Sequence, residues 1–90
     1  MHLGIYRFTG DPDKLLEGYD KVVAMMPAEN IFWHLCAVEP GGIVIFDTCP
    51  SEEVFRGFST SDQFRAALEA AGLPQPEVSD LPVHNALPAL

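Results

Sequence analysis

The sequence predicts an α+β domain of element order βαββαβ: a four-stranded antiparallel sheet with its helices on one face. Three observations predict it. Short runs rich in β-branched and aromatic residues alternate with stretches whose apolar residues recur at helical spacing. Residues 30–49 read as two strands around Pro40-Gly41-Gly42. Ninety residues suffice for one modest core and not for two, so the whole chain, 1–90, is one domain.

The first strand is residues 2–8. Leu3, Ile5 and Arg7 fall on one face, Tyr6 and Phe8 on the other. Thr9-Gly10 ends it. Asp11 is a good N-cap and Pro12 fits the first helical position, where no N–H bond is lost. Leu15, Leu16, Tyr19, Val22, Val23 and Met26 then form the apolar stripe of a helix that Pro27 stops.

The hairpin organises the chain. Phe32, His34, Cys36 and Val38 share one face of its first strand; Ile31, Trp33, Leu35 and Ala37 share the other. Both faces are largely apolar, which predicts a central hairpin covered on both sides. Pro40 presets φ for a turn and Gly41 tolerates the positive φ that follows in type II. Register decides the chemistry. If Pro40 and Gly41 alone form the loop, Glu39 pairs with Gly42 and His34 faces Asp47. With a third loop residue or a bulge, His34 faces Thr48 instead.

Cys49-Pro50 closes the third strand and Ser51 caps the next helix, with Glu52 and Glu53 in its first turn. Gly57 and Ser59-Thr60-Ser61 break this helix, and a second segment restarts at a Ser61 cap through Phe64, Ala67, Leu68 and Ala71. Gly72-Leu73-Pro74 has the pattern of a Schellman stop. Residues 76–85 read as a weaker fourth strand, which Pro82 confines to an edge.

Composition excludes several roles. Net charge is −8 with five Lys and Arg, against the positive charge that nucleic acid or an anionic membrane surface demands. No apolar run approaches the roughly 20 residues that span a bilayer. There is no basic segment followed by an apolar one at the start, so no signal peptide is expected, and a cytoplasmic location follows as the expectation. The two Cys do not have the spacing of a disulfide framework or a zinc site, and no metal is expected.

Two helices cover one face of such a sheet. The other face would stay apolar and open, which predicts a homodimer that packs sheet against sheet. The chain here resembles the dimeric α+β barrel superfamily, in particular its small antibiotic-biosynthesis-monooxygenase-like domains. The resemblance is carried by the element order and by the strand end Asp47-Thr48-Cys49-Pro50-Ser51. The helix start Ser51-Glu52-Glu53-Val54-Phe55 with Phe58, the run Phe64-Arg65-Ala66-Ala67-Leu68 and the closing Val83-His84-Asn85 also carry it. It implies a ferredoxin-like protomer that pairs into a barrel. It also implies activities among cofactor-free oxygenation of polycyclic phenols, lactone isomerisation and haem degradation. Haem-degrading members use an Asn on the first strand and a His near the second helix. This chain has neither, so no cofactor is expected.

The candidate catalytic residues are His34, as a base or substrate-orienting group, and Asp47, which would hold its tautomer. Each also has a structural reading, as an interface histidine and as a strand-end hydrogen-bonding group. Tyr6, Phe32, Trp33 and Phe46 could stack on a flat ligand or simply fill the core. His84 could line a pocket mouth or stand exposed. Arg7 could clamp an acid or pair with a surface carboxylate. Cys36 and Cys49 read as small buried hydrophobes, and His2 carries no expected role. The function that follows is binding of a flat apolar small molecule, between sheet and helices or between two sheets. Cofactor-independent oxygenation or isomerisation would be its chemistry. The alternative is a non-catalytic ligand-binding or structural dimerisation module.

Overall fold

The structure, a computed structural model, describes residues 1–25 and 33–89. Its elements are β1 (His2–Thr9), α1 (Pro12–Met25), β2 (His34–Glu39), β3 (Gly42–Cys49), α2 (Glu52–Ser59), α3 (Asp62–Ala71) and β4 (Glu77–Pro82). The strands form one antiparallel sheet in the order β2-β3-β1-β4, the ferredoxin-like arrangement. The expected stop of α1 at Pro27, and Ile31 and Phe32 of the expected second strand, lie outside the described residues.

Local chemistry sets most boundaries. The Asp11 side chain accepts from the Asp13 N–H at 3.3 Å at the start of α1. Ser51 accepts from Val54 N at 3.2 Å to cap α2, and Ser61 accepts from Phe64 N at 3.1 Å to cap α3. The long helical stretch is thus two helices broken at Thr60, as its Gly and Ser content predicts. α3 ends in a Schellman motif, with Leu73 N donating to Leu68 O at 2.9 Å and Gly72 left-handed.

Gly41 takes a φ of 84°, the value that a type II turn needs at its third position. Pro40 and Gly41 are the only residues between the paired strands. Glu39 therefore pairs with Gly42, and His34 pairs with Asp47. The two-residue loop decides the register that the sequence leaves open.

Two expectations are corrected. The hairpin is not central as a whole, because β1 inserts beside β3 and leaves β2 on an edge. Leu35 is 52% and Val38 59% exposed there. The fourth strand is also shorter than residues 76–85. It stops at Pro82, opposite His2, where β1 itself begins, and past it one backbone bond remains, Val83 N–H donating to Met1 O at 3.0 Å.

The core lies between the sheet and the helices. Phe8, Ile43 and Leu68 are fully buried at its centre, with Tyr6, Leu15, Phe55 and Phe64 around them. α1 and α3 approach closely at Gly18. A Cβ there would fall 2.7 Å from the Leu73 side chain and 3.1 Å from the Ala71 carbonyl oxygen. Among the described residues no helix is long and apolar enough to cross a membrane.

Candidate active site

Strand pairing places three polar side chains from three elements together on the helix-facing side of the sheet. Asp47 is on β3, His34 is opposite it on β2, and Tyr19 comes down from α1. His34 Nδ1 is hydrogen-bonded to Asp47 Oδ1. His34 Nε2 lies 2.5 Å from the Tyr19 hydroxyl. The Tyr19 and His34 rings are stacked, 10° from parallel with centroids 5.7 Å apart. The partners assign the tautomer. With Asp47 ionised, Nδ1 carries the proton and donates to the carboxylate, so Nε2 accepts from the Tyr19 O–H.

The environment shapes each group. Burial raises the Asp47 pKa, and the hydrogen bond and charge of His34 oppose that shift only in part. Burial, then the neighbouring Cys36, Asp47 and Asp20, push the Tyr19 hydroxyl up, so it stays a neutral phenol and a donor. Tyr6 is raised further, by burial and then by Asp47 and Cys49.

These groups border a cavity of about 230 Å³ between sheet and helices. Tyr6, Phe8 and Ile45 line its sheet side, and Tyr19, Val22 and Val23 its α1 side. Phe58, Phe64, Leu68 and Leu73 complete it, with His34 and Asp47 on the wall. Phe8 and Leu68 are each 1% exposed and form the floor. The more exposed Val23, Tyr19 and His34 mark the mouth. The described lining contains no Lys or Arg. Such a site can hold an apolar body and exchange one proton with it.

Of the remaining candidates, Tyr6 lines this cavity. Phe32 lies outside the described residues. Phe46 pairs with Leu35 and Ile5 on the opposite, open face of the sheet. Trp33 lies beside Thr48, whose hydroxyl accepts the Trp33 N–H at 2.8 Å, one residue out of step with His34 and therefore on the open face. His84 is exposed beyond the end of β4. Arg7 Nε donates to Glu39 at 3.2 Å on the open face. Both cysteines are free and have thiols pushed up by burial.

Two groups have more order than sequence reasoning assigns them. Tyr19 reads as one more apolar-stripe residue of α1, and only the tertiary approach of α1 to β2 brings it to His34. His2 is buried, with Nε2 2.6 Å from Asp80 Oδ1. Phe55 lies against the rings of both His2 and Tyr6, and this second His–Asp pair does not line the cavity.

No family model matches the chain, and no curated protein matches it. Solved structures do. SnoaB, a cofactor-independent oxygenase from Streptomyces nogalater, is 19% identical, with 97% of this chain and 96% of that one covered at a TM-score of 0.69. Rv0793 from Mycobacterium tuberculosis is 17% identical over 96% and 97% of the two chains, with a TM-score of 0.67. A protein of unknown function from Nitrosomonas europaea is 20% identical over 98% and 94%, with a TM-score of 0.68. An antibiotic biosynthesis monooxygenase is 16% identical over 98% and 100%, with a TM-score of 0.64, so the fold is shared with such domains over nearly the full length of both chains.

Proposed function

We propose that this protein binds a small, largely apolar molecule in the cavity and removes a proton from it through Tyr19 and His34. The observation that carries the reading is the continuous hydrogen-bonded series Tyr19–His34–Asp47 on the wall of an apolar cavity. An acidic O–H or C–H of the ligand gives its proton to the Tyr19 oxygen as Tyr19 passes its own to His34 Nε2. Asp47 stabilises the imidazolium that forms. No intermediate in this sequence requires a bound cofactor.

Two outcomes are open to the resulting carbanion or phenolate. Reaction with dioxygen as the oxidant converts a methylene to a carbonyl, with one oxygen atom entering the product and the other leaving as water with the two hydrogens. Return of the proton to another atom gives isomerisation. The likeness in fold to a cofactor-independent oxygenase supports the first. The protomer's open face, with Trp33, Leu35, Phe46, Ile5 and Leu81 on it, supports pairing with a second copy through that face.

The test is incubation with carbon acids and hydroxyarenes in D2O, with and without dioxygen. Oxygenation predicts a product that needs dioxygen. Isomerisation predicts deuterium incorporation that does not. His34→Ala abolishes either. Saturable binding with neither reaction would replace this reading with a non-catalytic ligand-binding module.

A further inference from the structure

We infer that the molecule this cavity takes is uncharged, no larger than two fused rings, and bears its one acidic group at the end that enters last. This rests on the proton-relay reading only for the role of the acidic group. Size and charge are argued independently of it.

Size comes first. A cavity of about 150 Å³ holds a benzene ring. The one here, about 230 Å³, is roughly half as large again. Within its walls that admits a second ring or a short substituent, and a third ring would stand out of the mouth, past Tyr19 and His34. Phe58 closes part of the helix side. Its ring packs against Phe64 with centroids 4.8 Å apart, and it is only partly buried.

Charge is the second restriction. A carboxylate or phosphate inside would find no Lys or Arg among the described lining residues and would lie near the Asp47 carboxylate. An unpaired buried charge is strongly disfavoured, and a chain of net charge −8 repels anions before they arrive. A cation would find the one carboxylate of the lining already engaged by His34. Orientation follows from the same geometry. The floor at Phe8 and Leu68 is apolar and fully enclosed, whereas Tyr19 and His34 stand nearer the mouth. The apolar end enters first, and the acidic group stops against the Tyr19 hydroxyl.

Isothermal titration with four probes tests this: 2-naphthol, naphthalene, 2-naphthoate and 2-hydroxyanthracene. The expected result is saturable binding of 2-naphthol, with naphthalene and 2-naphthoate each at least tenfold weaker. 2-Hydroxyanthracene binds at least tenfold more weakly than 2-naphthol, and Phe58→Ala, or the milder Phe58→Leu, recovers it. Absence of 2-naphthol binding, or 2-naphthoate or 2-hydroxyanthracene binding the parent protein as tightly as 2-naphthol, overturns the ligand class. Tyr19→Phe separates the two readings. If it leaves 2-naphthol affinity unchanged while the size and charge selection holds, the relay and the placing of the acidic group fail and the limits on size and charge stand.

Discussion

Asp47 is a carboxylate that the fold holds at some cost. Burial raises its pKa despite the His34 hydrogen bond, so the folded protein binds this proton more tightly than the unfolded chain does. The sign follows from linkage: where the folded state holds the extra proton, stability falls as pH rises through the Asp47 titration, and the loss remains above it. Asp47→Asn is therefore expected to gain on the parent as pH rises from the ordinary carboxylate range towards neutrality, measured by urea unfolding at a series of pH values. A variant that loses ground to the parent over that range would show that the ionised pair stabilises the fold. Tyr19→Phe is expected to cost about 0.5–1.5 kcal/mol, the worth of one ordinary hydrogen bond, in the same assay. A larger loss would make Tyr19 mainly structural.

Among the elements, the packing of α1 on α3 connects fold to cavity. Gly18 lets Leu73 rest on α1, and Leu73 lines the cavity. Gly18→Ala is expected to destabilise by about 1–3 kcal/mol through overpacking and to weaken ligand binding in parallel, read by thermal unfolding and calorimetry. The Ser51 cap is separable from the site. Ser51→Ala is expected to cost about 1 kcal/mol with ligand affinity unchanged. The elements also show what was legible in the sequence. Caps, the helix break at Thr60, the Schellman stop and the Pro40-Gly41 turn are encoded by residues adjacent in the chain. That turn carried the pairing of His34 with Asp47 as one of two registers. The edge position of β2 was not legible, because an edge strand that borders a cavity on one face and an open apolar face on the other has the pattern of a central one. Tyr19 was hidden for a related reason, since a tyrosine on an apolar stripe fits a core equally well. Its role depends on a helix-to-strand approach that no local pattern records.

For the molecule as a whole, the helix-covered face of the sheet carries the candidate chemistry and the bare face carries the proposed contact between copies. Leu35→Glu places a charge on that bare face, away from the cavity. It is expected to convert a dimer to a monomer in sedimentation equilibrium; a parent protein that sediments as a monomer would contradict the pairing. The account's central claim, that the cavity presents its ligand to His34, is tested most directly by the ring nitrogen resonances of the three histidines during titration with 2-naphthol. His2 is tied to Asp80 away from the cavity and His84 is exposed, so both serve as internal references. The account predicts a saturable shift of the His34 nitrogens, the Nε2 signal above all, with His2 and His84 unmoved. Saturable binding that leaves His34 unmoved, or that moves His2 or His84 instead, would contradict it.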